Sequence, residues 1–137
     1  MGRSRSRQTK VFSNVRPVQL VVQDYFLKSG FSPVSEVSDD ETTATYSHSL
    51  LQSTWIIHTL ERESEFQTTL RELVRDFAHP NAMHAIAAAN TEAFVRQFDS
   101  VDRSTREKLN LFWILVEGDG SVNVYAPYEK VPQSVTS

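Results

Sequence analysis

The most constraining feature of the 137-residue sequence is the unbroken apolar run 111–116, which reads Leu-Phe-Trp-Ile-Leu-Val. Such a run predicts a strand covered on both faces, because a strand with one exposed face would alternate with polar residues. The segment 118–121 that follows contains the Asp-Gly pair that favours a tight turn. Apolar and polar residues then alternate over 122–126. The sequence therefore predicts a C-terminal β-hairpin inside a packed core.

The N-terminal half of the sequence shows one helix followed by strand patterns. Pro17 suits the first turn of a helix and Gly30 suits its end, which predicts a helix between them, although the adjacent Val21 and Val22 also suit a strand. Residues 42–60 first alternate and then become rich in β-branched and aromatic residues, which predicts a second β-hairpin. A single helix from Ser49 to Arg62 is the alternative for the same segment.

Helical patterns fill the middle of the chain. Apolar residues recur at helical spacing over 64–78, and Pro80 ends this helix. A second helix is predicted over 81–98, because the run Ala-Ile-Ala-Ala-Ala at 85–89 has high helix propensity. A short third helix is expected from about residue 100 to residue 109.

These elements predict an α+β domain in the order α-β-β-α-α-α-β-β, with the helices packed on one face of a small antiparallel sheet. We expect residues 17–128 to form a single domain, since this length is sufficient to bury a hydrophobic core. A disordered basic arm over 1–16 precedes the domain, and a flexible tail over 129–137 follows it.

Several classes of function find no support in the composition. The chain has no cysteine, which excludes disulfides, thiolate-bound metals and a cysteine nucleophile. It contains no glycine-rich phosphate loop, and no apolar run reaches the roughly 18 residues of a membrane span. The spacing of its four histidines does not require a metal. We therefore expect a cytoplasmic protein that is not an enzyme, holds no cofactor or metal, and makes no membrane contact.

Charge is strongly segregated along the chain. Residues 1–16 carry five basic and no acidic side chains, whereas the other 121 residues carry nine basic and 17 acidic ones. Guanidinium groups spaced along an extended segment suit the repeated phosphates of a polyanion. A solvated arm, or an arm docked on the protein's own acidic surface, is the alternative. The pattern predicts that nucleic acid or another polyanion is contacted by Arg3, Arg5, Arg7, Lys10 and Arg16.

Three functional hypotheses follow. The first is a non-enzymatic assembly or interaction protein that forms a homo-oligomer, with the basic arm on a compact body, a layout found in nucleocapsid, coat and small regulatory proteins. The second is a PAS-like small-molecule-binding or sensing domain, with a pocket between sheet and helices near Trp55, His58 and Trp113. The third is a winged-helix DNA-binding protein that reads DNA with the predicted helix 81–98.

A second group of basic residues lies in the predicted helices, but acidic residues interrupt it. Asp99, Asp102 and Glu107 fall among its members, so the pattern is typical of an ordinary solvated helical surface. We therefore assign no binding role to Arg96, Arg103, Arg106 and Lys108.

Overall fold

The structure, a computed structural model, describes residues 17–34, 43–75 and 82–132. The predicted arm and the last five residues of the predicted tail lie outside these ranges. The four helices described are α1 (Val18–Lys28), α2 (Phe66–Arg75, after a 3-10 turn at Glu63–Glu65), α3 (Glu92–Asp99) and α4 (Arg103–Leu109). The six strands described are β1 (Ser32–Pro33), β2 (Thr43–His48), β3 (Ser53–Thr59), β4 (Met83–Ala89), β5 (Leu111–Val116) and β6 (Val122–Tyr125).

The six strands form one mixed sheet in the order β1-β2-β3-β4-β5-β6. The outer pairs β1–β2, β2–β3 and β5–β6 are antiparallel, whereas the central pairs β3–β4 and β4–β5 are parallel. The chain combines helices and strands in an α+β fold, as expected. The predicted antiparallel sheet and the predicted order of elements are wrong, because both central pairings are parallel and two additional strands are present, β1 after α1 and β4 between α2 and α3.

Of the two additional strands, β4 occupies the first half of the predicted helix 81–98. Residues 84–88 are buried between β3 and β5, and the alanines among them let other elements approach both faces closely. Pairing with two neighbouring strands satisfies the backbone of this segment, so tertiary context overrides the helix propensity of alanine. The helix begins only after Thr91, whose hydroxyl accepts a hydrogen bond from the Phe94 N–H at 3.2 Å. The reader helix of the winged-helix hypothesis is therefore absent in the predicted form.

Helices cover both faces of the sheet, and not one face as predicted. Successive crossovers between parallel strands are almost always right-handed, so crossovers that advance in the same direction place their helices on the same face. Accordingly α2, α3 and α4 pack against one side of β4 and β5 in a core cluster that includes Ile86, Trp113 and Leu115. Helix α1 packs on the opposite side, against Ala85 and Ala87.

The remaining elements agree with the sequence pattern. The C-terminal hairpin forms as predicted, and β5 is covered on both faces, since its side chains alternate between the two core clusters. The segment 43–59 forms a hairpin, so the alternative of one helix across it is wrong. Gly30 has a φ of +95°, which suits glycine at the end of α1.

We expect the substitution Ala87→Leu to destabilise the protein by about 1–3 kcal/mol, because β4 has no room for a larger side chain under α1. The measurement is the free energy of unfolding in urea. Gln67→Leu, which adds an apolar side chain to the exposed face of α2, is the control and should change stability by less than about 0.5 kcal/mol. Equal stabilities of the two variants would contradict the burial of β4 on this face.

Candidate functional site

All five residues of the predicted polyanion contact, Arg3, Arg5, Arg7, Lys10 and Arg16, lie outside the described residues. The structure does place the point at which the arm joins the body, which is the first turn of α1. There the Glu61 carboxylate, directly after β3, accepts hydrogen bonds from the backbone N–H groups of Val18 and Gln19. Burial raises the pKa of Glu61, and these hydrogen bonds oppose that shift. The arm therefore meets the body where β3 ends, next to an acidic side chain.

Several basic side chains of the folded body are paired with carboxylates one helical turn away. Lys28 lies 3.1 Å from Asp24 on α1, and Arg96 lies 2.7 Å from Glu92 on α3. On α4, Arg103 lies 2.7 Å from Glu107. Exposed pairs of this kind contribute little stability, but they cancel the local charge.

The three residues of the predicted small-molecule pocket do not share one face of the sheet. Trp55 lies on the α1 side, where its ring is 4.7 Å from that of Phe112 and 5.4 Å from that of Phe26. Trp113 lies on the opposite side and stacks on Phe98 at 4.3 Å. The two tryptophans therefore belong to different cores, because Trp55 pairs with Met83 and Trp113 pairs with Ile86, an odd number of residues further along β4.

His58 lies on β3, where the Thr43 hydroxyl is 3.2 Å from its Nδ1 atom. His84 is buried on the neighbouring strand β4. It pairs with Ile56, which lies two residues before His58 on β3. Burial, with a smaller contribution from His84, lowers the pKa of His58 to about 4. His58 is therefore neutral at physiological pH.

A cavity of about 360 Å³ lies between α4, the end of α3 and the segment after β6. Its volume is within the range of small-molecule pockets. Trp113 is the only residue of the predicted pocket that lines it. Its wall is formed by Phe98, Asp99, Val101, Asp102, Arg103, Arg106, Trp113, Pro127, Tyr128, Glu129, Lys130 and Val131.

Arg106 is the central side chain of this cavity, and the assignment of Arg106 to an ordinary solvated surface is wrong. Only 5% of the residue is exposed, and its guanidinium lies 4.8 Å from the centre of the Trp113 ring. It donates hydrogen bonds to the backbone carbonyls of Glu129 at 2.6 Å, Ala126 at 2.8 Å and Tyr125 at 3.3 Å. Burial lowers its pKa to about 10, so the side chain remains charged at neutral pH.

The contacts of Arg106 define its role as an anchor for the C-terminal segment. Three carbonyls of residues 125–129 converge on one guanidinium, and Val131 is buried in the core just beyond them. A planar group with five donors suits this arrangement, which the single ammonium of a lysine does not reproduce. A sequence signal for this burial exists, since Arg106 lies three residues before Leu109 and therefore on the same face of α4 as that core residue.

The part of the chain that the structure describes lacks both a metal-binding cluster and a membrane-spanning helix. It contains no group of three or more His, Asp or Glu side chains placed to hold a metal ion. None of its helices is long and apolar enough to cross a membrane.

Comparison with known proteins identifies similar folds. No family model matches the chain, and no curated protein matches it significantly. An XisH family protein from Nostoc punctiforme PCC 73102 is similar in structure, with a TM-score of 0.55 and 12% identity over 80% of this chain and 98% of that one. An fdxN element excision controlling factor protein from Anabaena variabilis gives a TM-score of 0.55 and 10% identity over 79% of this chain and 96% of that one. At these identities the similarity shows the fold alone.

We expect Arg106→Ala to destabilise the protein by about 2–3 kcal/mol, because it leaves three backbone carbonyls without their shared donor. Arg106→Lys retains the charge but not the planar group of donors. Its free energy of unfolding should lie between those of the wild type and the alanine variant. Urea unfolding provides the measurement. Arg96→Ala, which removes an exposed ion pair on α3, is the matched control and should cost less than about 0.5 kcal/mol. A loss no larger than that of the control would contradict the anchoring role.

The stability of the protein should fall as the pH drops from about 6.5 toward about 4, because the unfolded chain protonates His58 before the folded chain does. The stability contributed by neutral His58 is complete above its unfolded pKa, and its loss should be on the order of 2 kcal/mol. Urea unfolding at a series of pH values measures it. His58→Gln, which cannot titrate, should show a shallower dependence, and parallel curves for the two proteins would rule out this contribution.

Proposed function

We propose that the chain is a non-enzymatic interaction protein associated with nucleic acid, in which the basic arm contacts phosphates and the folded body forms a homo-oligomer. The proposal rests on the separation of basic from acidic residues along the chain. Residues 1–16 contain five basic side chains and no acidic one, while the rest of the chain is acidic. Arginines spaced along one segment can each meet a different phosphate and release its counterions.

The charge pairs on the body support the arm as the site of contact. Lys28, Arg96 and Arg103 each have a carboxylate within 3.1 Å, so binding a phosphate at any of them competes with an existing pair. The arm carries no internal carboxylate that could compete in this way. A phosphate backbone therefore gains more by contacting the arm than by contacting these helical surfaces.

Acidic side chains beside the first turn of α1 support a contact restricted to the arm. This turn, which directly follows the arm in sequence, meets Glu61, and Glu63 and Glu65 follow Glu61 in the chain. These carboxylates repel phosphate, which disfavours a contact between the body and nucleic acid at this edge. The proposed binding is accordingly electrostatic, restricted to the arm and strongly dependent on salt.

The structural comparison is compatible with this role. The Anabaena variabilis protein with a similar fold is described as an excision controlling factor for the fdxN element. The comparison supplies the shared fold, and the proposal rests on the charge of the arm.

The small-molecule hypothesis has weaker support. The cavity beside Arg106 has a suitable volume, but Trp113 is 1% exposed and is already stacked against Phe98 and the Arg106 guanidinium. The Trp113 ring therefore offers a ligand very little surface. The Arg106 guanidinium already donates hydrogen bonds to backbone carbonyls. We prefer the nucleic-acid contact for this reason.

We expect the triple variant Arg3→Ala, Arg5→Ala, Arg7→Ala to lose at least about tenfold in affinity for a labelled DNA duplex of arbitrary sequence at low salt. The dependence of log K on log salt should become shallower by about three, since up to three phosphate contacts are removed. Fluorescence anisotropy across a salt series measures both quantities.

The matched control is the double variant Arg96→Ala, Arg103→Ala, which removes two arginines from the ion pairs of the body. It should bind with nearly wild-type affinity and salt dependence. If the control lost as much affinity as the arm variant, the contact would belong to the body. Absence of salt-dependent binding by the wild type would refute the proposal.

A further inference from the structure

The segment that follows β6 contacts α4 and belongs to no helix or strand. Residues 126–132, here called the C-terminal strap, contain one turn that is closed within the segment itself. The Glu129 N–H donates to the Ala126 carbonyl at 2.8 Å, and the Ala126 N–H donates to the Glu129 carboxylate at 2.7 Å. The hydrogen bonds of this turn therefore do not depend on contacts with the sheet.

Few contacts attach the strap to the rest of the chain that the structure describes. Among the described residues, Arg106 donates the only hydrogen bonds across this boundary, to the carbonyls of Ala126 and Glu129. Val131 is 3% exposed and is the one strap residue in the core cluster on the α2 side of the sheet. Pro127 is also buried, whereas the strap residues between and after these two are exposed. One guanidinium and two apolar side chains thus make up the attachment.

A cavity separates much of the strap from the helices beside it. The volume of about 360 Å³ described above lies between the strap, the end of α3 and α4, and residues 127–131 form one of its walls. A void of this kind removes the van der Waals contacts that would otherwise hold a covering segment in place. The strap is therefore attached at separate points and is not packed continuously on the helices.

Lifting the strap would leave the rest of the body intact. No strand pairing involves residues 126–132, since the register of β5 with β6 ends at Tyr125. The Arg106 guanidinium and the two strap carbonyls that it binds would regain water, which offsets the loss of their hydrogen bonds. A segment with few buried apolar contacts and an exposed backbone belongs to the part of a structure that opens at low free-energy cost.

We infer that the C-terminal strap is a lid that opens as a unit while the rest of the body stays folded, and that Arg106 holds it closed. Val131 belongs to both the core and the cavity wall, so its departure enlarges the cavity toward the core. The open form presents an apolar groove lined by Phe98, Val101 and Trp113. This inference goes beyond the proposed function, because it concerns the folded body and is independent of the arm.

The test is the rate at which a buried thiol reacts with the disulfide reagent DTNB. The chain has no cysteine, so a single introduced thiol reports on one position. Val131→Cys places the thiol in the strap, and Val95→Cys places it on α3 in the same core cluster. The two valines are 3% and 2% exposed, so the closed form alone predicts equal protection. With local opening, the Val131→Cys protein should react at least about a hundredfold faster.

Urea separates local opening from unfolding of the whole body. Local opening exposes little surface, so the reaction of the Val131→Cys protein should not change at low urea concentrations. The reaction of the Val95→Cys protein should accelerate with urea, because it requires extensive unfolding. Equal rates with equal urea dependences would overturn the inference, since the strap would then leave only when the whole body unfolds.

A matched control destabilises the body on the opposite face of the sheet. Ala87→Leu disturbs the core under α1, so it should accelerate the reaction of Val95→Cys by at least about fivefold and leave that of Val131→Cys unchanged. Ile57→Val, a smaller change in the same core, should give the same pattern with a smaller acceleration and serves if Ala87→Leu does not fold. Equal acceleration at both positions would contradict a lid that opens by itself.

The role of Arg106 is tested in the Val131→Cys protein. Arg106→Lys keeps the charge but loses the planar group of donors that binds the strap carbonyls, so it should accelerate the reaction by at least about tenfold. Arg96→Ala, which removes an exposed ion pair on α3, should leave the rate unchanged. An unchanged rate in the Arg106→Lys variant would show that Arg106 does not hold the strap closed.

Discussion

The pairing of β4 with β3 on one side and β5 on the other is the constraint on which the rest of the structure depends. These two parallel pairings bury residues 84–88 and satisfy their backbone hydrogen bonds. The small side chains of Ala85 and Ala87 let α1 approach one face, while Ile86 and Ala88 form part of the core on the other. Without β4 the two hairpins would not belong to one sheet, and neither hydrophobic core would have a continuous sheet to pack against.

The positions of the functional groups follow from this central unit. Right-handed crossovers place α2, α3 and α4 on one face, and this arrangement brings Arg106 of α4 over Trp113 of β5. The same topology leaves α1 to cover the opposite face, where its first turn meets Glu61 after β3. The contact of Glu61 with α1 and the Arg106 anchor thus lie on opposite faces of the sheet.

Charged residues are distributed unevenly along the chain. Residues 1–16 carry five basic and no acidic side chains, strands β1, β2 and β3 carry no Asp, Glu, Lys or Arg, and the segment 35–42 between β1 and β2 carries four acidic residues. Electrostatic attraction to phosphates is long-ranged and screened by salt, whereas apolar association is short-ranged and insensitive to it. The proposed phosphate contact of the arm therefore depends on salt in a way that the packing of the two cores does not.

The sequence by itself determined the elements whose residues interact locally. The Pro17 and Gly30 boundaries of α1, the alternation over 43–59 and the apolar run 111–116 each match the observed element, because turn chemistry and side-chain periodicity act within a few residues. Threonine is a common N-cap residue, so Thr91 could have indicated from the sequence that a helix begins there and that 81–98 is not one helix. Only the tertiary structure decided that 83–89 is a strand, that both faces of the sheet are covered, that Trp55 and Trp113 lie apart, and that Arg106 is buried. Those outcomes depend on contacts between residues far apart in the chain, which in these cases overrode helix propensity at 85–89 and the solvated appearance of α4.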